Sequence, residues 1–95
     1  MRPYDYNGAK RISKALHREF RRAGQPVRLC DSFEAVARGM GYRHWHDVAS
    51  GFSADRTAPW SDDRAASVLD ARCGIGPAAA AAALAEVGRR FANWN

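Results

Sequence analysis

Large aliphatic residues are scarce in this sequence. Leucine, isoleucine, valine and phenylalanine together number 15 of 95 residues, a share that in a charged chain raises the question of disorder. The 19 alanines, three tryptophans and three tyrosines answer it, because alanine lets helices approach closely and aromatic rings supply buried area. The sequence therefore predicts one modest helical core, with a thin stability margin that leaves room for a homodimer or a larger partner.

Cysteines and long apolar runs are also few. No run approaches the ~20 apolar residues needed to cross a bilayer, and residues 1–13 have no apolar stretch of the kind that secretory signals carry. We therefore expect a cytoplasmic protein without a membrane partner. In that compartment Cys30 and Cys73 are expected to be free thiols that serve as small, half-buried packing residues.

Acidic residues are outnumbered by basic ones. The chain has 15 Lys and Arg against 10 Asp and Glu, a formal net charge of +5 and an isoelectric point near 9.9. This balance favours acidic partners, such as nucleic acid or an acidic protein surface, without deciding between them.

Residues 8–23 predict an amphipathic helix. Asn7 is expected to cap it, and Gly24 with Pro26 to end it. The helical repeat gathers the apolar side chains on one stripe and the cations on the opposite third of the circumference. The stripe contains Ala9, Ile12, Leu16, Phe20 and Ala23, and the basic face contains Lys10, Arg11, Lys14, Arg18, Arg21 and Arg22.

The basic face has two interpretations. Like charges one turn apart repel by about a few tenths of a kcal/mol per pair, and Glu19 is the only acid within the helix to offset them. A face that only solvates the protein would mix its signs, so a single sign favours contact with phosphates or with an acidic protein surface. A solvated surface helix is the alternative.

Residues 31–52 predict two short helices that pack face to face across a glycine-containing turn. Asp31 and Glu34 have the spacing of a capping box at the start of the first helix. Trp45 is predicted to be buried between the two helices. The inward residues are expected to be Phe33, Val36, Ala37 and Met40 in the first helix and Trp45, Val48, Ala49 and Phe52 in the second.

Two connections flank this central pair. Residues 25–30 are expected to form a short connection with Val27 and Leu29 pointing inward, and residues 53–60 a polar linker. The sequence thus predicts a single helical domain over residues 1–95, an all-α bundle of about five short helices.

Residues 61–94 predict the last helix pair. Ser61 or Asp62 is expected to cap the first of these helices, and Pro77 to open the second in the favoured first position. The inward residues are Ala65, Val68, Leu69 and Cys73, then Leu84, Val87, Phe91 and Trp94, and Glu86 can pair with Arg89 or Arg90.

The central pair invites comparison with the helix-turn-helix motif that reads DNA. One register of that motif buries Glu34 and Arg38, and the other buries Asp47 and Ser50, so neither fits completely. If the motif holds, the exposed side of its second helix presents Arg43, His44, His46 and Asp47.

Metal binding and nucleophilic catalysis find little support. His44 and His46 lie about 200° apart on a helix and cannot share an ion, while His44 with Asp47 lacks a third ligand. Cys30 beside Asp31 has no surrounding motif for a nucleophile. We therefore expect no catalytic residue, no metal and no cofactor.

Two runs, AKRISKAL at residues 9–16 and SFEAVARGMGYRHWHDV at residues 32–48, resemble the small domain called glyoxalase-related in bacterial and mobile-element proteins. A basic first helix, a Val-Ala-x-x-x-Gly-Tyr turn and an Arg-x-Trp finish carry the resemblance over about residues 8–50. Val48 stands where the family has leucine. The resemblance implies a small all-helical accessory domain, and it implies no glyoxalase activity because the chain offers no strand pattern for that enzyme's metal site.

These observations predict a non-catalytic, basic binding or regulatory protein that docks on nucleic acid or on a nucleic-acid-handling complex. The alternative is a mobile-element-encoded inhibitor of a host defence complex, of the anti-CRISPR type, that acts by protein–protein binding. The candidate binding residues are Lys10, Arg11, Lys14, Arg18, Arg21, Arg22, Arg43, His44 and His46.

Overall fold

The computed structural model describes residues 6–51 and 60–91, and every regular element within them is an α-helix. The helices are α1 (Tyr6–Arg22), α2 (Leu29–Gly39), α3 (Trp45–Gly51), α4 (Asp62–Cys73) and α5 (Pro77–Arg90). The prediction of a small all-α bundle of five helices is confirmed. Most of the predicted linker, together with Phe52 and Trp94, lies outside the described residues.

One cluster of buried apolar side chains joins all five helices. Within it α2 contacts α1, α3 and α4, while α5 packs against α1 and α4. The predicted contact between α2 and α3 is therefore present, but α2 is shared among three neighbours rather than paired with α3 alone.

Helix α1 has the predicted apolar stripe except at Ala23, and the predicted cap at its N-terminal end was also wrong. Ala9, Ile12, Leu16 and Phe20 are buried, and the Ser13 hydroxyl on the same side donates to the Ala9 carbonyl at 2.8 Å. The prediction for Ala23 was wrong, because α1 ends at Arg22 and the chain turns away, leaving Ala23 exposed. Asn7 cannot be the cap, since it lies inside the first turn of a helix that begins at Tyr6.

Helix α2 begins two residues before its predicted start. Arg28 precedes the first turn, and the Asp31 carboxylate accepts from the Arg28 backbone N–H at 3.3 Å. The predicted capping box of Asp31 and Glu34 was therefore wrong: Glu34 instead accepts from the backbone N–H of Trp45 at 3.1 Å and fastens the start of α3. Val27 is buried as predicted, whereas Leu29 falls on the outer side of this added turn and is 37% exposed.

The end of α2 is held by the beginning of α4. The Gly39 carbonyl accepts from the Ser61 backbone N–H and from Arg64 Nη2, both at 3.0 Å, and Arg64 Nε donates to the Arg38 carbonyl at 3.1 Å. Gly39 also lies under the indole of Trp60, where an added Cβ would sit 2.6 Å from the ring. The glycine thus leaves room for the Trp60 ring, which precedes α4 and packs on the end of α2.

The C-terminal helix pair follows its predicted boundaries. Ser61 caps α4 by accepting from the Arg64 backbone N–H, Gly74 ends it at φ 67°, and Pro77 opens α5. Such a left-handed conformation favours glycine, which has no Cβ to clash. The alanine block of α5 packs only in part. Ala80 and Ala83 are buried, whereas Ala78, Ala81 and Ala82 are exposed.

Candidate functional site

The basic face of α1 lies opposite the buried stripe, as its residue spacing requires. Arg11, Lys14, Arg18 and Arg21 are exposed, and within residues 6–51 and 60–91 none of them has an acidic partner. Ten residues of helix separate the first from the last, a row of about 15 Å. These four side chains are free to meet an anion together.

The other two members of the basic face already have partners. Lys10 is partly buried, with Nζ 5.4 Å from the centre of the Tyr6 ring. Arg22 Nη2 lies 2.8 Å from Glu19 Oε2, although the arginine side chain is still 68% exposed. Lys10 is therefore less accessible to a ligand than the four exposed cations. Arg22 also lies on the basic face, but Glu19 largely neutralises its charge.

Glu19 links α1 to α5. Its side chain is only 10% exposed, and its carboxylate accepts from Arg22 Nη2 and, at 3.0 Å, from Arg90 Nη2. Burial of a charged group is costly unless it is paired, and two arginines pair this one. The single acid of α1 thus brings the end of α5 beside the basic face.

The second set of predicted site residues lies around the start of α3. Arg43, His44 and His46 are exposed, and His44 Nδ1 lies 3.6 Å from Glu34 Oε2, a distance that makes an ion pair when the imidazole is protonated. Since His44 and His46 flank Trp45 in the chain, this set sits at the N-terminal end of α1, where Tyr6 meets Trp45. The two predicted sets are therefore connected through an aromatic cluster.

That aromatic cluster corrects the expectation for Trp45. The ring stacks on Phe33 at a centroid distance of 4.6 Å and lies tilted against Tyr6 at 5.6 Å. All three rings are partly buried. Trp45 was predicted to be buried between two helices, but it is the first residue of the short helix α3 and is only partly buried against the rings of Phe33 and Tyr6.

The exposed residues of α2 and α3 match neither register of the DNA-reading motif. Arg38 is exposed where the first register requires a buried residue, and Asp47 and Ser50 are exposed where the second does. The two helices and their short turn are present, but the buried pattern of the motif is not. Of the two predicted sets, the basic face of α1 has the larger number of cations without an acidic partner in residues 6–51 and 60–91.

A buried ionic cluster that the sequence did not predict joins α2 to α4. The Asp31 carboxylate is 2% exposed and accepts from Arg28 Nε at 3.2 Å, from Arg72 Nε at 3.1 Å and from Cys73 Sγ at 3.3 Å. The Arg28–Asp31 spacing of i, i+3 was a local signal for part of it. Arg72 and Cys73, about forty residues farther along the chain, could be found only from the fold.

The cluster shifts the acidity of two of its members. Burial alone would raise the pKa of Asp31, but hydrogen bonds from Arg28, Cys73 and Arg72 outweigh it and hold the pKa at about 2. Burial, together with the hydrogen bond to Asp31, raises the pKa of the Cys73 thiol to about 11. The thiol therefore acts as a hydrogen-bond donor and is a poor nucleophile at neutral pH.

The two cysteines should differ in reactivity. Both are free thiols; Cys30 is exposed, contrary to the expectation that it packs, and Cys73 is partly buried. At pH 8 a thiol of pKa about 11 is ionised to roughly one part in a thousand, so Cys73 should react with iodoacetamide very slowly in the folded protein. Mass spectrometry should find mono-alkylated native protein and doubly alkylated protein in urea. Rapid native labelling of a Cys30→Ser variant would contradict this assignment.

Two further findings apply to the described residues only. No group of three or more His, Cys, Asp or Glu side chains in them could hold a metal ion. None of their helices is both long enough and apolar enough to cross a membrane.

Comparison with known proteins leaves the resemblance to the glyoxalase-related domain as a prediction. No protein-family model, no curated protein and no solved structure matches this chain.

Proposed function

We propose that this chain is a non-catalytic binding protein that docks on nucleic acid, alone or within a nucleic-acid-handling complex, through the basic face of α1. The observation that carries the proposal is the row of Arg11, Lys14, Arg18 and Arg21, exposed together without an acidic partner among the described residues. A face kept at one sign along three turns is repulsive in isolation and favourable against a polyanion.

The physical basis is counterion release. Each phosphate that a cation neutralises frees condensed salt ions, so the logarithm of the binding constant falls with the logarithm of salt by about 0.9 per contact on B-form DNA. Four contacts would give a slope of about 3.6, and raising the salt from about 50 to 200 mM would weaken binding by roughly a hundredfold. This dependence is a quantitative signature of the proposed contact.

The test reverses the charge of three members of the row. Replacing Arg11, Lys14 and Arg18 by glutamate should leave the fold intact, since exposed substitutions usually change stability by about 0.5 kcal/mol or less. Binding to a fluorescent 20-base-pair DNA, measured by anisotropy across a salt series, should weaken by about a hundredfold or more at 50 mM salt. The salt slope should fall by about 2.7, since three contacts of about 0.9 each are lost.

A matched single-site control separates the position of a charge from its sign. Arg18→Glu and Arg38→Glu make the same change at exposed helical arginines without an acidic partner among the described residues, one on the basic face and one on α2. Only the first should weaken binding strongly. Equal binding by wild type and triple variant would show that the face is solvation, and attention would move to Arg43, His44 and His46.

A protein partner is the competing outcome. If the chain retains a partner from its host after nuclease treatment, and the triple variant loses it with a weaker dependence on salt, the basic face is a protein-binding surface. That result would favour the inhibitor interpretation over nucleic-acid binding.

A further inference from the structure

We propose that the C-terminal end of α5 belongs to the same contact surface, and that the ligand of this two-helix surface is double-stranded nucleic acid gripped through its phosphates. The inference rests on the proposed function and goes beyond it by adding Arg89 as a fifth binding residue and by naming the form of the ligand.

The C-terminal end of α5 lies beside the C-terminal end of α1. Arg90 Nη2 lies 3.0 Å from Glu19 Oε1, so the last turn of α5 sits against the last turns of α1 although the two residues are 71 positions apart in the chain. Arg89 directly precedes Arg90, and its side chain is 76% exposed. A second pair of arginines therefore adjoins Arg22, at the edge of the basic face.

The side chains where the ends of α1 and α5 meet carry an excess of positive charge. Three arginines, Arg22, Arg89 and Arg90, share two carboxylates: Glu19 holds Arg22 and Arg90, while Glu86 holds Arg89 and, at 3.5 Å, Arg90 Nε. One positive charge is thus left over. The pair of Arg89 with Glu86 is largely at the surface, where ion pairs are weak, so a phosphate can replace the carboxylate as the partner of Arg89.

The surface between α1 and α5 also indicates whether the nucleic acid is single- or double-stranded. Proteins that bind single strands combine cations with exposed aromatic rings on which bases stack. Within the described residues the only exposed large hydrophobic residue is Leu29, and no aromatic ring is fully exposed. The groove of about 310 Å³ between α1 and α5 is lined by four alanines, by Phe20, which is 1% exposed, and by polar side chains that include Arg22 and the paired carboxylates of Glu19 and Glu86. Among the described residues, the surface between α1 and α5 offers charge without an exposed ring, which suits a duplex whose bases are already stacked.

Arg89→Gln tests the added contact. In the anisotropy assay with the 20-base-pair DNA at 100 mM salt, it should weaken binding about five- to tenfold and reduce the salt slope by about 0.9. Glu86→Gln, which releases Arg89 and Arg90 from a competing carboxylate, should strengthen binding. Arg38→Gln is the matched control and should change neither quantity. Melting curves of all three variants check that each is folded.

The ligand form is tested with a single strand of the same 20 nucleotides. Five contacts give a salt slope of about 4.5 for a duplex and about 3.5 for a single strand, because each contact contributes about 0.9 in the first and about 0.7 in the second. We expect the duplex to bind more tightly at 100 mM salt. Equal or tighter single-strand binding would overturn the assignment to duplex. An unchanged slope in Arg89→Gln would overturn the α5 contact even while Arg18→Glu still weakens binding, whereas no DNA binding by wild type would overturn the proposed function itself.

Discussion

Asp31→Asn should lower the free energy of unfolding by about 2–4 kcal/mol. The carboxylate is buried, receives hydrogen bonds from Arg28, Arg72 and Cys73, and also accepts the backbone N–H at the start of α2. Asparagine keeps the shape but loses the charge, and its amide group can turn a donor toward the arginine donors. Urea unfolding followed by far-ultraviolet circular dichroism measures the loss.

Asp70→Asn is the matched control for this substitution. Asp70 is exposed on α4, and the same change there should alter stability by about 0.5 kcal/mol or less. Equal effects at the two positions would mean that the buried cluster contributes nothing beyond a general charge effect.

The Asp31 carboxylate also affects how the free energy of unfolding changes at acidic pH. Its pKa of about 2 in the folded protein lies below its ordinary value of 3.8, so its contribution is complete above pH 3.8 and is lost as the pH falls toward 2. The shift corresponds to on the order of 2 kcal/mol. Wild type and Asp31→Asn should therefore converge in stability between about pH 4 and pH 2, and curves that stay parallel over that range would contradict the assignment.

The second large effect concerns the core. Leu16→Ala should lower the free energy of unfolding by about 3 kcal/mol, within the range for fully buried leucines, and the melting temperature by more than about 10 °C. Leu16 is 0% exposed and lies in the middle of the α1 stripe. So small a core cannot rearrange readily to fill the resulting cavity. Differential scanning calorimetry measures both quantities.

Leu29→Ala provides the matched control, because it deletes the same atoms from a side chain that is 37% exposed. We expect a loss of less than about 1 kcal/mol. A similar loss at the two sites would mean that α1 is not packed against the core through its apolar stripe.

Features that depend on nearby residues were predicted well from the sequence. The α1 stripe follows from helical periodicity, and the boundaries of α4 and α5 follow from a capping serine, a left-handed glycine and a helix-opening proline. Each of these signals acts within one or two turns. The local pattern therefore already contains the physical cause.

Features that depend on the meeting of distant segments were not predicted. Asp31 was paired with Glu34 in a capping box on spacing alone, which gives no sign that Asp31 also binds Arg72 and Cys73 of α4 or that the donor to Glu34 belongs to α3. Leu29 was placed inward because the added first turn of α2 was missed.

The candidate site likewise has some features that depend on nearby residues and others that depend on side-chain contacts formed in the fold. The four free cations of α1 follow from spacing alone, since an apolar stripe on one side of a helix exposes the other. The withdrawal of Lys10 onto Tyr6 and the bridge from Glu19 to Arg90 do not, because both depend on side-chain geometry that periodicity cannot give.

The bridge between Glu19 and Arg90 also has a consequence for the order in which the protein forms. Helix α1 is made before α5 during synthesis, and part of the apolar stripe of α1 is covered by α5. The buried side of α1 thus stays partly open until the final helix arrives, so no N-terminal fragment ending before α5 should hold a stable fold. We expect amide protons of α1 and α5 to exchange with deuterium together, in one cooperative opening of the whole bundle.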